Sequence, residues 1–352
     1  MKIHYVIGGG VEQSDKGMFS SLASVRYRVL IPATFLSKAG HQVEIIQLAA
    51  DAPVESIIAN MKLEGDSVAV ISKMFSPAQY QLALGMKSRG VPIVVDYCDD
   101  NFAIANGVGE QELAVGRMAD SIVSGSKFLG TTIERVLQRG YTVIADPFEG
   151  PYGAPAFSPD PEAVKLLWFG NYVNFSSLYI FFEQLKIYLQ NSLANGEEPI
   201  RVKLHIVTGK QEEAIPRLQQ QADVFGQHLS ITFTPWSPDV TWRAIDGCDM
   251  VVLPINPDQR GLSKSTNRLL EPFRGGRMVV ANQLPAYAPF ADYAWIGDNL
   301  VEGILWACGN RDDVLKRITR GAELIERQYS ASVIGGEWLK VFQNSLEHKM
   351  DG

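Results

Sequence analysis

GLSKSTNRLLEPFRGGRMVVANQLPAY, residues 261–287, is the stretch whose reading decides the fold. Gly261 and Ser263 favour a loop, and Ser265 or Thr266 can cap a helix whose apolar residues Leu269, Leu270 and Phe273 recur at helical spacing. Gly275-Gly276 stops that helix, and Met278-Val279-Val280-Ala281 is a short apolar run suited to a covered parallel strand. Loop, helix, glycine stop and buried strand make one unit of an α/β sheet. Lys264, Arg268 and the helix's N–H groups fall near one end, where a phosphate can rest. Glu271 has Arg268 three residues before it, so it is not the acid of a capping box. A carboxylate at that position can accept two hydrogen bonds from a vicinal diol such as a ribose. Together these residues point to a nucleotide. The competing reading is a solvated helix carrying an Arg268–Glu271–Arg274 charge ladder.

The rest of the chain extends this pattern. Upstream of the quoted stretch, strands are expected at 166–169, 203–207, 229–233 and 250–253, alternating with helices at 178–193, 215–222 and 239–245. Downstream, a short strand at 293–296 precedes helices at 300–308, 311–328 and 331–345. A second alternating series fills the N-terminal half, with strands at 2–7, 41–48, 68–72, 93–95, 121–124 and 142–144. Helices at 24–39, around 57–61, at 78–88 and at 129–138 lie between them. Alternation of this kind means parallel sheets covered on both faces. DPFEGPYGAPAFSPDPEA (146–163) is dense in Pro and Gly and reads as a linker. The expected fold class is α/β, with two doubly wound Rossmann-like domains facing a central cleft. The boundaries are 1–150 for the first domain, 151–163 for the linker and 164–330 for the second. Residues 331–352 would form a C-terminal helix that can cross back to the first domain.

Composition narrows the functional classes. The chain has 352 residues, 46% hydrophobic and 20% charged, as expected of roughly two globular domains. A net charge of −7 argues against general electrostatic binding to nucleic acid or anionic lipid. No run approaches the about 18 apolar residues of a transmembrane helix, so membrane contact would be peripheral at most. The N-terminal MKIHYVIGGG reads as a strand and a glycine turn rather than a signal peptide. Cys98, Cys248 and Cys308 are odd in number and match no zinc spacing, which suggests free thiols in a reducing, cytoplasmic setting.

Ligands of doubly wound sheets lie beyond the carboxyl ends of the strands, so the candidates are the residues found there. Gly9 and Gly10 follow the first strand, but Gln13 stands where a dinucleotide fingerprint needs glycine, which weakens any nicotinamide site. Arg26 and Arg28 can grip an anionic group or lie on the surface with buried stems. Lys73 ends its strand at a similar height. In VVDYCDDNF (94–102), mutual repulsion among Asp96, Asp99 and Asp100 can raise one pKa and make a general base. Asp99 and Asp100 are the better base candidates. The cluster could also hold a divalent cation or cap a turn. In the second half, Gly170 and Asn171 end a strand.

In this order the chain resembles GT-B-fold glycosyltransferases, particularly the family 4-like group, over essentially its full length. The resemblance rests on the first glycine turn, the arginine-bearing helix ending in Ala39-Gly40-His41, and Gly170-Asn171. WSPDVTWRAIDGCDMVVLP (236–254) and KSTNRLLEPFRGGRMVVANQLPAY (264–287) complete it. It implies an enzyme that moves a sugar from a nucleotide-sugar donor to a hydroxyl of a glycan or lipid-linked glycan. Gly170, Asn171, Lys264, Ser265, Asn267, Arg268 and Glu271 would bind the donor, with Lys264 on the diphosphate and Glu271 on the ribose. Gly9, Gly10, Arg26, Arg28 and Lys73 would line the acceptor or phosphate side, and Asp99 or Asp100 would serve as base if configuration inverts. The nucleotide sugar is then a substrate, no cofactor is implied, and no metal is expected, although the Asp99–Asp100–Asn101 run leaves a divalent cation open. Ser263 stands where the family has a second, sugar-contacting glutamate, a departure that leaves sugar and stereochemical outcome undetermined. The KSTNR variant looks like a subgroup pattern of bacterial polysaccharide biosynthesis. Two other readings of the same scaffold are a nucleotide-sugar epimerase, disfavoured by only five histidines, and a non-catalytic sugar- or nucleotide-binding module.

Overall fold

The computed structural model describes residues 1–15, 17–63, 65–72, 75–102, 108–160, 162–209 and 213–350. The chain divides into two compact units: Met1–Glu149 with Ser263–Ser265 and Gln328–Gly352, and Gly150–Leu262 with Thr266–Arg327. Each has one six-stranded parallel sheet.

In unit 1 the strands are β1 (Lys2–Ile7), β2 (Gln42–Gln47), β3 (Ser67–Ser72), β4 (Ile93–Tyr97), β5 (Ser121–Ser124) and β6 (Thr142–Val143), in the order β2-β1-β3-β4-β5-β6. Strand side chains alternate between faces, and both faces here are covered. Ile3, Tyr5, Ile7, Val68, Val70 and Val94 enter one core, whereas Val6, Ala69, Ile71, Ile93 and Val95 enter the other. The final helix, Ala331–Met350, contributes Ile334, Trp338 and Phe342 to the first of these cores. This C-terminal helix therefore belongs to unit 1.

In unit 2 the strands are β7 (Val164–Phe169), β8 (Val202–Thr208), β9 (Leu229–Pro235), β10 (Met250–Leu253), β11 (Met278–Ala281) and β12 (Trp295–Ile296), ordered β9-β8-β7-β10-β11-β12. The helix Phe175–Ala194 buries Leu178, Phe181, Phe182, Leu185 and Leu189 against this sheet. In each unit the strand order reverses once, between β1 and β3 in unit 1 and between β7 and β10 in unit 2. The crevices beyond those strand ends are where such sheets take ligands.

Four features depart from the sequence reading. The expected helix over 24–39 contains a π turn at Arg26–Leu30, between Ala23–Val25 and Ile31–Lys38. Pro32 lacks the N–H that would bond the Arg28 carbonyl and its ring crowds that group, so the helix widens in the turn before it. A helix at Val108–Met118 and a two-stranded hairpin, Glu12–Ser14 with Gly17–Phe19, were not expected. Residues 151–163 do not hang free as a linker but pack within unit 2. Gly153 N–H donates to Arg274 O, Ala156 N–H donates to Gly276 O, and Phe157 is buried in the core. A Cβ on Gly153 would come within 2.3 Å of Gly275 O, so only glycine permits this approach of the two backbones. Among the described residues no helix is long and apolar enough to cross a membrane.

Candidate functional site

The quoted helix runs Asn267–Arg274 between β10 and β11, so its N-terminus lies at the carboxyl edge of the unit 2 sheet. Thr266 occupies the N-cap position, but its hydroxyl bonds no N–H and is buried without a partner. Arg268 turns back to the end of β7. Its Nη2 donates to Phe169 O at 2.6 Å, its Cζ lies 5.5 Å from the Trp168 ring centroid, and its Nε is buried with no acceptor. Gly170 lies against it, and a Cβ there would meet Arg268 Cζ at 3.4 Å, close to ordinary contact. Among the described residues Arg268 has no carboxylate partner. Burial lowers its pKa, which the nearby Tyr287 opposes.

Glu271, one turn further along the same helix, is only 4% exposed and accepts a 2.9 Å hydrogen bond from Gly150 N–H. It borders a pocket of about 400 Å³ with Gly150, Tyr152, Trp242 and Arg243. Arg274 pairs instead with Glu326. The solvated Arg268–Glu271–Arg274 ladder is thereby overturned: the three side chains go to three different places, two of them inward. Asn171 is exposed and caps the short turn Tyr172–Asn174 by accepting from Val173 N–H, while Asn267 is half-buried at the first helical position.

Ser263, Lys264 and Ser265 group with unit 1, not with the helix they precede. Ser126 Oγ donates to Ser263 O at 3.0 Å, Lys264 Nζ pairs with Asp99 Oδ1 at 2.6 Å, and Ser265 Oγ donates to Asp146 Oδ2 at 2.5 Å. The expectation had put Lys264 and Ser265 in the second domain and Asp99 in the first. The structure instead brings all three together in unit 1, and Ser265 serves Asp146 rather than capping the helix.

The carboxyl ends of unit 1 hold a buried ion network. Arg28, 1% exposed, donates through Nη2 to Asp96 Oδ1 at 2.6 Å, through Nη1 to Asp146 Oδ1 at 3.3 Å, and through Nη1 to Ile144 O. Ser72 Oγ adds a bond to Asp96 Oδ2, and the Trp338 ring covers the guanidinium. Arg28 is thus neither a surface charge nor a grip for a ligand, because two carboxylates already saturate it. Arg26 is likewise buried, pairing with Glu149 at 2.9 Å and donating to Ser20 O. Burial raises the Asp146 pKa against the opposing pull of Arg28. Gly9 and Gly10 both have positive φ, and a Cβ at Gly10 would come within 2.6 Å of Leu22 Cδ1. Lys73 lies outside the described residues.

Asp99 and Asp100 follow β4 as expected, Asp100 being buried and Asp99 partly so. Glu112, on the helix Val108–Met118, is pushed up to about 7 by burial, with Asp99 and Asp100 adding to the rise and the Asn101 hydrogen bond opposing it. The sequence reading missed Glu112 because its helix has few apolar residues and two glycines, Gly109 and Gly116. It also missed Asp146, whose only signal was its place after a short strand. Among the described residues no group of three His, Cys, Asp or Glu side chains is arranged to hold a metal ion.

No family model matches the chain, and no curated protein matches it. Solved structures do. HepE from Anabaena, in complex with UDP, superposes with a TM-score of 0.68 at 14% identity, over 98% of this chain and 100% of that one. A UDP-forming α,α-trehalose-phosphate synthase from Burkholderia xenovorans gives 0.60 at 11% identity, over 97% of this chain and 99% of the other. A mutant of S. aureus TarM, in complex with fondaparinux, α-GlcNAc-glycerol and UDP, gives 0.62 at 14% identity. That match covers 82% of this chain, which spans only 58% of TarM. At such identities the likeness is one of fold. The two-domain α/β fold of this chain is the GT-B fold that its sequence led us to expect.

Proposed function

We propose that the protein transfers a sugar from a nucleotide-sugar donor to a hydroxyl of a glycan or lipid-linked glycan. The observation that carries this reading is Arg268. A half-buried guanidinium whose Nε is buried without an acceptor, and which has no carboxylate among the described residues, is stabilised when an anion completes it. It stands beside Gly170 at the reversal of strand order in unit 2, next to a helix N-terminus. A diphosphate suits those donors. Glu271, one turn further along and bordering the pocket with Gly150 and Trp242, would accept from the ribose hydroxyls. The UDP bound in HepE and TarM supports the same reading.

In the reaction the bond from sugar C1 to the diphosphate oxygen breaks, the acceptor oxygen bonds to C1, and the acceptor's proton leaves. Arg268 and the helix N–H groups would stabilise the charge growing on the diphosphate, the largest electrostatic task of such a site. Asp99 or Asp100 would take the proton if configuration inverts and would only orient the acceptor if it is retained. Lys264, paired with Asp99, is a further cation that a phosphate could recruit.

A thermal-shift series over nucleoside diphosphates and nucleotide sugars tests this. A ligand at 100 times its Kd should stabilise the fold by about 2.7 kcal/mol. No response to any nucleotide would end the reading. A response without turnover on any glycan acceptor would reduce it to a binding module, and sugar interconversion without acceptor would make it an epimerase.

A further inference from the structure

Unit 1 contains a buried acid that the proposed chemistry does not use. Glu112 is 3% exposed. Its Oε1 accepts from Asn101 Nδ2 at 2.7 Å, and its Oε2 is buried with no partner. The helix that carries it is pressed against the end of β4. Tyr97 Oη donates to Glu112 O, a Cβ on Gly109 would come within 2.4 Å of Phe102 O, and one on Gly116 would come within 2.3 Å of Tyr97 Oη. Both glycines serve this close approach, so the position of Glu112 relative to Asp99–Phe102 is fixed by packing. A protein that merely needed to bond Asn101 could use Gln here and leave no acid buried.

We infer that Glu112 is a positioning residue: its side chain fixes the Asp99–Asp100 segment through Asn101, and its protonation state decides how that segment is held. Neutral, the carboxyl takes the Asn101 bond and leaves no charge in the interior. Ionised, it accepts the Asn101 bond more strongly but leaves a negative Oε2 without a partner near Asp99 and Asp100. The added repulsion pushes the segment away. Asp99 and Asp100 act on Glu112 from the loop, Lys264 sits on Asp99, and Arg139 acts on Tyr97 while donating to the last carbonyls of the Glu112 helix. None of these cations pairs with Glu112 itself. The neutral form is therefore the one that holds Asp99 and Asp100 in place, and the burial that pushes its pKa up to about 7 keeps that form populated near neutrality. Because the aspartates are the groups proposed to meet the acceptor, the inference rests on that reading for its consequence, though not for its structural content.

The experiment is carbon-detected NMR of the full chain labelled at Asp and Glu carboxyls and at the Asn101 amide, titrated across about pH 5 to 9. The wild type should show one glutamate titrating near neutrality, with the same inflection in Asp99, Asp100 and Asn101. The isosteric E112Q, which keeps the Asn101 bond, should lose that inflection at all four positions. Persistence of the inflection at the aspartates in E112Q, or its absence in the wild type, overturns the inference. Sugar transfer gives the functional readout: kcat should fall through an alkaline limb near pH 7 in the wild type and stay flat in E112Q, and an unchanged limb would also overturn it. Failure of every nucleotide to bind would remove the proposed reaction but leave the NMR result decisive for Glu112.

Discussion

Replacing Arg268 by Met separates a functional charge from a structural one. The guanidinium gives the fold one charged hydrogen bond to Phe169 O, worth about 1.5–3 kcal/mol, and contacts with Trp168 and Phe169 worth about 0.5–2 kcal/mol. Against these stands a desolvation penalty of similar size, reduced by the side chain's partial exposure, with no carboxylate to offset it among the described residues. Met fills similar volume and keeps a favourable sulfur–aromatic contact. The two sides nearly cancel, so R268M should change the stability of the ligand-free protein by less than about 2 kcal/mol, with stabilisation the expected sign. Ligand binding should respond in the opposite sense. Loss of a charged contact of about 2–3 kcal/mol weakens binding roughly 30- to 150-fold. At a concentration that gave 100 times the wild-type Kd, ligand stabilisation then falls from about 2.7 to less than about 1 kcal/mol. Denaturant unfolding of both proteins, with and without a nucleoside diphosphate, reads both effects in one assay. A ligand-free R268M destabilised by more than about 3 kcal/mol, with its nucleotide response intact, would show that Arg268 is structural and refute the reasoning.

Other substitutions distinguish the remaining groups. E112Q tests the buried acid through stability. The fold keeps its proton to about 7, whereas the unfolded chain loses it near 4.5, so wild-type stability falls as pH rises through that window and is level above it. At 1.36 kcal/mol per pH unit, the advantage of E112Q over the wild type should grow by about 3 kcal/mol between pH 4 and 8, as read by urea unfolding. R28A leaves Asp96 and Asp146 buried without their cation and should cost about 3–5 kcal/mol, with loss measured at neutral pH in guanidinium. E271Q can still accept from Gly150 N–H, so melting should change little, while nucleotide affinity drops about tenfold, one charged hydrogen bond's worth, in calorimetric titration.

The fold was legible because parallel strands covered on both faces are continuous apolar runs. VAVIS, IVVDY and MVVL announce themselves, and the strand bounds read from the sequence at 250–253 and 278–281 are those observed. What remained hidden depended on partners far along the chain. Lys264 and Asp99 are 165 residues apart, Ser265 and Asp146 are 119 apart, and neither pairing has a periodic signature. The arginines show why residue type alone could not find the site. Five of them, at positions 26, 28, 268, 274 and 277, carry the same guanidinium, and three of these, Arg26, Arg28 and Arg268, stand where an anion could be held. Folding assigns Arg28 to Asp96 and Asp146, Arg26 to Glu149, Arg274 to Glu326, and Arg277 to Asp246 and a ring of backbone carbonyls. Arg268 alone of the five receives one carbonyl, two aromatic faces and no carboxylate among the described residues. A charge that is half-buried, with its Nε shielded from water and no carboxylate to neutralise it among the described residues, is a cost that an apolar side chain would avoid, and its presence beside Gly170 argues for an anion that arrives from solution.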